Sequence, residues 1–266
     1  MVRAYANWRD YAYTHRMTQS QPKLVAHRGY ARCYPENTLL AMRAAVEAGA
    51  RYLEFDVQLS ADRVPVLFHD HDLLRMCGQN GAIHEYAITR LRDFSVSEFG
   101  RFGYRYVGNP ITSLQEMVAF LASQPAVFAF VELKRQSLRF FGIDTMLDVI
   151  LPLLEPIKQQ AIIISYSLEA LRATRERSSF PIGAVFDQWH ERKQLLIRTL
   201  RPEFLFTDID LLPRFGKLKH AQSQLAVYEC VDPARAVQVH RRGVDYVETF
   251  AIAEMLHSFK LHAEWS

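Results

Sequence analysis

The 266-residue sequence predicts a parallel (β/α)8 barrel, because short apolar segments alternate with amphipathic ones along most of its length. Eight segments have the length and composition of buried strands: 24–27, 52–57, 127–133, 162–165, 182–186, 204–207, 225–229 and 246–249. A helix or a long connection follows each of them, and eight strand–helix units in about 250 residues are typical of this barrel. The alternative, a doubly wound open sheet, usually has fewer strands and a glycine-rich phosphate turn, which this sequence lacks.

The first unit of the predicted barrel is a strand, a helix and a second strand. Strand 24–27 ends on His27 and continues into a basic turn. Apolar residues then recur at helical spacing over 39–46, and Gly49 is a typical glycine stop. The second strand, 52–57, therefore begins directly after a complete helix.

Amphipathic stretches separate the later strands, with the clearest ones at 114–121, 145–154, 168–177, 192–200 and 234–242. No low-complexity tract or Pro/Ser linker marks a second domain. We therefore expect one barrel domain over 23–266, preceded by an N-terminal extension over 1–22.

One segment, approximately 71–110, departs from this rhythm and predicts an insertion after the second strand. In a barrel, a loop that follows a strand lies over the active-site face. Its aromatic residues would either cover a substrate or fill a small core of the insertion's own: Phe94, Phe99, Phe102, Tyr104 and Tyr106.

Composition and charge exclude several classes of partner. The net charge of +3 is small and the 32 basic residues are spread along the chain, so we expect no nucleic-acid partner. No apolar run reaches transmembrane length, and arginines interrupt the aromatic N-terminal arm, so we expect neither a membrane span nor a signal. We expect that arm to be a loosely docked extension, with weak contact to a membrane surface as the alternative. Cys33, Cys77 and Cys230 lack any metal or redox spacing, which favours reduced thiols and a cytoplasmic protein.

Two acids on the second strand predict a cation site. Side chains alternate between the two faces of a strand, so Glu54 and Asp56 share one face, opposite an apolar one. Two carboxylates this close raise each other's pKa unless a cation or a strong donor lies between them, and a hard divalent cation meets that need. An isolated Glu-x-Asp pair is more often a solvated strand face, so the prediction depends on what lies nearby.

Other strand ends carry polar residues that would join this site. His27 and His69 each end an apolar strand, and Glu132 and Lys134 share a face at the end of another. A lone histidine in such a place is usually structural, but here two of them coincide with inward-facing acids. Three acids at neighbouring strand ends form an oxygen-rich site for Mg²⁺ or Ca²⁺, and Arg28 with Lys134 would hold an anionic oxygen.

The sequence resembles the glycerophosphodiester phosphodiesterases over roughly residues 23–256. The motifs that carry the resemblance follow the order and approximate spacing of that family: His27-Arg28-Gly29, Pro35-Glu36-Asn37-Thr38, Glu54-Phe55-Asp56-Val57-Gln58, Pro65-Val66, His69-Asp70 and Glu132-Leu133-Lys134. Segments 111–116 and 163–167 are also similar. The resemblance implies a TIM-type barrel that hydrolyses small-molecule glycerophosphodiesters, products of phospholipid deacylation, to glycerol 3-phosphate and an alcohol.

The resemblance also implies a role for each matching residue. The set comprises the metal ligands Glu54, Asp56 and Glu132, the acid–base pair His27 and His69, and the substrate- or phosphate-binding Arg28, Lys134 and Glu36. Glu36 would either orient a histidine or contact the glycerol end of the substrate. The metal would be Mg²⁺ or Ca²⁺, with Mn²⁺ as a further candidate. A phosphodiester needs its charge offset, its nucleophile deprotonated and its leaving alkoxide protonated, and this set meets those needs. Which histidine is the acid stays open, as does the choice between water and the substrate's glycerol hydroxyl as the nucleophile.

The last strands depart from the family pattern. Relatives commonly carry Trp-Thr-Val-Asn where this chain has Tyr228-Glu229-Cys230-Val231, and Thr-Asp where it has Thr249-Phe250. We expect Glu229 to pair with a neighbouring arginine, with recognition of a cationic head group as the alternative. These differences put the substrate preference in question more than the reaction type.

Three other functions are alternatives. A catalytically weak phosphodiester-binding barrel is supported only by the altered last strands. A lysophospholipase D-like or phosphoinositide-cleaving phosphodiesterase would use a related barrel, and a secreted toxin of that kind would be expected to carry a signal and disulfides. A metal-dependent aldolase or isomerase barrel would not need two strand-end histidines at this spacing.

Overall fold

The computed structural model describes residues 21–218, 220 and 222–264, and side chains as far as 261. Residues 1–20, for which a docked or membrane-contacting arm was predicted, lie outside the described residues. The described strands are β1 Lys23–His27, β2 Tyr52–Leu59, β3 Pro65–Leu67, β4 Phe128–Leu133, β5 Ala161–Ser165, β6 Ile182–Phe186, β7 Phe204–Asp208, β8 Gln224–Tyr228 and β9 Tyr246–Thr249.

Eight of these strands are parallel and close into a barrel. Around the barrel the order is β1-β2-β4-β5-β6-β7-β8-β9, and pairing of β9 with β1 completes the circle. β3 is antiparallel and pairs with the end of β2, and its Val66 also forms an isolated bridge with Ser113. The predicted TIM-type barrel is therefore confirmed, with every predicted strand present and its ends shifted by no more than two residues.

Helices cover the outside of the barrel and follow the strands as the alternation predicted. Their bounds are α1 Leu39–Glu47, α2 Leu74–Cys77, α3 Ile88–Leu91, α4 Phe99–Phe102, α5 Leu114–Ala122, α6 Arg135–Phe141, α7 Ile143–Leu154, α8 Leu168–Arg177, α9 Leu195–Leu200, α10 Pro233–Arg242 and α11 Ile252–Glu264. The amphipathic stretch 192–200 is divided at Gln194, whose φ of −55° and ψ of 143° are not helical, between a 3₁₀ turn at Trp189–Lys193 and α9. Within the described part of the chain, no helix is long and apolar enough to cross a bilayer.

The barrel interior changes from an apolar floor to a polar mouth along the strand direction. Phe130 lies in the floor, edge-to-face with Phe204 and Phe206 at ring-centre distances of 5.1 Å. Three strands carry an aromatic residue in this layer and an acid two positions later on the same face: Tyr52 and Glu54 on β2, Phe130 and Glu132 on β4, Tyr246 and Glu248 on β9. The acids therefore gather at the carboxyl ends of the strands, where barrel enzymes place their chemistry.

The insertion after β2 has a small core of its own. It packs short helices α2 and α3 against β3, and its buried apolar residues include Met76, Ile83 and Phe94. The third short helix, α4, lies against α2. Tyr106 is also buried, and its hydroxyl donates to the Cys33 carbonyl at 2.6 Å. By contrast, Phe99 and Tyr104 are 55% and 81% exposed. The predicted aromatic residues of the insertion therefore divide between buried and exposed positions.

Candidate active site

The turn after β1 depends on two residues with left-handed backbone. Arg28 has φ of 56° and Gly29 has φ of 83°. A side chain at Gly29 would bring its Cβ to 2.7 Å from the Ala41 carbonyl carbon, so only glycine fits against α1. This geometry turns the Arg28 backbone N–H toward Glu54, whose Oε2 accepts it at 3.1 Å. The His27-Arg28-Gly29 motif therefore contacts the motif that begins at Glu54 directly.

Glu54, Asp56 and Glu132 form an oxygen cluster at the mouth of the barrel. One carboxylate oxygen from each lies within 4.8 Å of the others. Parallel pairing of β2 with β4 places Asp56 opposite Glu132, which explains how acids far apart in sequence meet. Three carboxylates with buried or half-buried side chains are the oxygen donors that a hard divalent cation prefers, so the residues present fit such an ion.

The two acids of β2 titrate in opposite directions. Burial, followed by repulsion from Asp56 and Glu248, raises the pKa of Glu54 well above its usual range. Burial also acts to raise the pKa of Asp56, but the charges of Lys134 and Arg28 outweigh it and hold that pKa below its ordinary value. In the cation-free site Asp56 therefore ionises more readily than Glu54.

Arg28 and Asn37 hold Asp56 from one side. The Arg28 Nε lies 3.2 Å from Asp56 Oδ2, and its Nη1 donates to Glu36 at 2.9 Å. The Asn37 amide donates to Asp56 Oδ2 at 2.8 Å and accepts the Asp56 backbone N–H at 3.1 Å. Glu36 is thus a partner of Arg28 rather than a wall of the cavity.

His27 is held by residues from β8 and β9. Its Nδ1 lies 2.8 Å from Glu229 Oε2, while its Nε2 faces Glu54 and Glu248 at 3.7 and 3.8 Å. The ring stacks on Phe250 with centres 4.7 Å apart and planes 7° from parallel. Burial, and then the charge of Arg28, lower the pKa of His27 despite the hydrogen bond to Glu229. The prediction that Glu229 pairs with an arginine is wrong, since its partners are His27 and the Phe250 backbone N–H.

His69 has a matching carboxylate partner. Its Nδ1 lies 2.9 Å from Asp70 Oδ1, and Arg75 from α2 donates to both oxygens of Asp70 at 2.7 and 2.9 Å. Arg75 also donates to Glu36 at 2.7 Å, so one guanidinium connects the partners of His69 and Arg28. The turn that carries His69 and Asp70 is also held from β2, because the Gln58 amide donates to the Phe68 and Asp70 carbonyls.

These side chains surround a cavity of about 70 Å³ in the barrel mouth. Six of the eight sequence-predicted residues line it: His27, Arg28, Glu54, His69, Glu132 and Lys134. Asp56 and Glu36 do not line the cavity but contact residues that do. Asp56 lies 3.0 Å from Lys134 Nζ, and Glu36 lies 2.9 Å from Arg28 Nη1. The structure therefore brings together all the residues that the motifs selected.

Several cavity residues were missed by the sequence reasoning. Glu248 is 2% exposed and lines the cavity, and the alternation Tyr246-Val247-Glu248 could have indicated its inward direction. Tyr166 and Tyr228 also line it, with their hydroxyls 2.6 Å apart. Arg75, which contacts Asp70 and Glu36 rather than the cavity, was also missed. No local sequence pattern indicates these partners, because the packing of the insertion sets them.

Comparison with known proteins identifies the family. The model of the glycerophosphoryl diester phosphodiesterase family matches residues 27–249, which is most of the chain. The chain belongs to this family. The resemblance drawn from the motifs is therefore confirmed.

Individual members of the family differ widely from this chain. A glycerophosphodiester phosphodiesterase of Bacillus altitudinis is 34% identical over 123 residues, which cover 46% of this chain and 49% of that protein. One from Caldanaerobacter subterraneus is 25% identical over 190 residues, covering 67% of this chain and 74% of its own length. This chain covers about half the length, or less, of the first curated relatives, which include the Bacillus altitudinis protein.

The fold of the family extends over nearly the whole chain. A phosphodiesterase of Oleispira antarctica, solved in complex with the product sn-glycerol-3-phosphate, aligns with a TM-score of 0.77. The alignment covers 94% of this chain and 99% of that one at 21% identity. At this identity the likeness establishes the fold alone.

Proposed function

We propose that this protein is a glycerophosphodiester phosphodiesterase that hydrolyses its substrate to glycerol 3-phosphate and an alcohol. The observation that carries the proposal is one cavity lined by two carboxylate-bound histidines, the arginine and lysine of the motifs and two acids of the oxygen cluster. Family membership supports the reaction class, and the product named for the Oleispira antarctica protein supports the substrate class.

A divalent cation would be held by Glu54, Asp56 and Glu132. When bound, it would supply positive charge that offsets the phosphodiester's charge and polarises a phosphoryl oxygen. Mg²⁺ and Ca²⁺ both suit an all-oxygen donor set, and Mn²⁺ is a further candidate. Metal dependence is part of this proposal.

Arg28 and Lys134 would hold the remaining phosphoryl oxygens. Both line the cavity, and both keep their charge, because nearby carboxylates outweigh the burial that would lower their pKa values. The Arg28 guanidinium is oriented by Glu36 and Asp56, so its direction is set before substrate binds. Preorganised charge of this kind stabilises the transition state without reorganising.

His27 and His69 would carry out the proton transfers. Each ring has its Nδ1 against a carboxylate, at 2.8 and 2.9 Å, which leaves its Nε2 for exchange with substrate. One histidine would remove the proton of the nucleophile and the other would protonate the departing alkoxide. The nucleophile is water or the glycerol hydroxyl of the substrate, and the geometry is compatible with both.

The decisive experiment measures glycerol 3-phosphate release by the purified protein. The substrates are glycerophosphocholine, glycerophosphoethanolamine, glycerophosphoglycerol and lysophospholipids, each with Mg²⁺, Mn²⁺ or Ca²⁺ and with chelator. Release from glycerophosphodiesters that requires a cation supports the proposal. No release with any metal would favour a phosphodiester-binding barrel, and release of an alcohol from lysophospholipids alone would favour the lysophospholipase D-like alternative.

A further inference from the structure

Glu229 occupies a place for which the motifs assign no role. It follows β8 directly, and its side chain is 25% exposed. Its Oε2 contacts His27 Nδ1 at 2.8 Å, and its Oε1 accepts the backbone N–H of Phe250 at 2.8 Å. Both oxygens are therefore used within the protein.

We propose that Glu229 is a positioning residue that sets the tautomer and orientation of the His27 ring. The inference rests on the proposed function, in which His27 transfers a proton. Glu229 already accepts the Phe250 N–H with one oxygen, and when it accepts at the 2.8 Å contact as well, the proton of neutral His27 lies on Nδ1. The Nε2 atom, which faces the cavity acids Glu54 and Glu248, is then the atom that exchanges protons.

The ring is held on its edge and on its face by adjacent parts of the barrel. Glu229 fixes the edge, and Phe250 stacks on the face at 4.7 Å. The backbone N–H of that same Phe250 fixes Glu229, so the three groups hold one another in a closed arrangement. Orientation matters because a misplaced acid or base costs far more in turnover than in substrate affinity.

This arrangement argues against a head-group role for Glu229. A carboxylate that recognises a cationic substrate must face the space that the substrate occupies, and Glu229 is not among the side chains that line the cavity. In the structure, one oxygen contacts His27 and the other accepts from the main chain. Replacing Glu229 should therefore lower kcat by the same factor for substrates with cationic and with uncharged alcohols.

The test is a double-mutant cycle between His27 and Glu229. The variants are Glu229→Gln, Glu229→Ala, His27→Ala and the His27→Ala/Glu229→Ala pair, with Glu47→Gln as an exposed control. Turnover and KM are measured with glycerophosphocholine and glycerophosphoglycerol, and thermal unfolding reports whether each variant folds. We expect the single Glu229 variants to lose about 10- to 100-fold in kcat with little change in KM. The same change in the His27→Ala background should cost nothing further, because Glu229 acts through that ring.

Each other outcome overturns the inference in a recognisable way. An equal loss in the His27→Ala background would show that Glu229 serves only the local structure. A rise in KM for glycerophosphocholine alone would show head-group recognition. Should the alanine variant fail to fold, Glu229→Gln and the His27→Ala/Glu229→Gln pair complete the cycle, since the amide has one acceptor oxygen and cannot accept from both His27 and Phe250. Normal turnover of folded His27→Ala would remove the catalytic role of His27 together with this inference, whereas normal turnover of Glu229→Ala alone would remove only the inference.

Discussion

The Nζ of Lys134 lies 3.0 Å from Oδ1 of Asp56, at the centre of the acid cluster. The same ammonium lies 3.0 Å from Glu132 Oε1, so it bridges two of the three candidate ligands. Burial acts to lower the pKa of Lys134, but Asp56 and Glu132 raise it above the ordinary value. A charged lysine thus offsets part of the repulsion among the acids before any cation binds.

Replacing Lys134 should damage both the acid cluster and phosphate binding. We expect Lys134→Met to lower kcat/KM by about 10²- to 10³-fold, which is the usual effect of removing one preorganised donor to a transition state. Steady-state kinetics with saturating cation would measure it. Lys260→Met, on an exposed helix position, is the matched control, and a folded Lys134→Met enzyme with normal kcat/KM would contradict the assignment.

Cation binding should stabilise the folded protein through Glu54, Asp56 and Glu132. A ligand at a hundred times its Kd adds about 2.7 kcal/mol to the free energy of unfolding. We expect Mg²⁺, Ca²⁺ or Mn²⁺ to raise the melting temperature of the wild type and chelator to abolish its activity. Glu54→Gln should lose most of that thermal shift while Glu47→Gln keeps it; equal shifts in both would place the cation elsewhere.

Glu54 should contribute a fall in the unfolding free energy of the cation-free protein as pH rises, while His27, whose pKa is lowered, contributes in the opposite direction. The pKa of Glu54 is raised in the folded state above its unfolded value near 4.5, so the folded protein binds the extra proton. Its contribution is fully present below that value and is lost as pH rises through the folded pKa. Urea unfolding in chelator from about pH 5 to about pH 8 isolates the Glu54 contribution as the difference between the wild type and Glu54→Gln, and the wild type should lose stability relative to the variant as pH rises. Parallel curves for the two proteins would refute it.

Each candidate catalytic histidine should be needed for turnover but not for folding. We expect His27→Ala and His69→Ala each to lose about 10²- to 10⁴-fold in kcat, the usual contribution of general acid–base catalysis. Circular dichroism and thermal unfolding would confirm the fold. His257→Ala, at an exposed position on α11, should retain wild-type turnover. A folded variant of either histidine with near-normal turnover would end its catalytic assignment.

Arg75 should act on turnover without touching substrate. Its guanidinium donates to both oxygens of Asp70, the partner of His69, and to Glu36, the partner of Arg28. We expect Arg75→Ala to lower kcat by about 10- to 100-fold, and Arg75→Lys to restore little because an ammonium cannot make the two-point contact. Exposed Arg139→Ala is the control. Wild-type kcat in a folded Arg75→Ala enzyme would show that the Asp70 turn is rigid without it.

The sequence by itself determined the barrel and most of the candidate site. Apolar strands of period two located β1, β2 and β4, and the same period showed that Glu54 and Asp56 share the inward face. Because parallel strands end at one rim, residues at those ends had to meet. Local pattern is sufficient wherever the strand repeat itself decides which way a side chain points.

Only the tertiary structure decided the partners of these residues. Glu229 was expected to contact an arginine, yet it contacts His27, because β8 and β1 flank β9 on the closed barrel. Arg75 reaches Glu36 and Asp70 through the packing of the insertion, and Glu248 enters the cavity through closure of β9 against β1. Barrel closure joins the first described strand to the last one. The periodicity within one strand does not indicate which distant side chain will lie opposite it. The acid cluster thus follows from strand alternation, whereas the hydrogen bonds that orient its neighbouring histidine follow from closure.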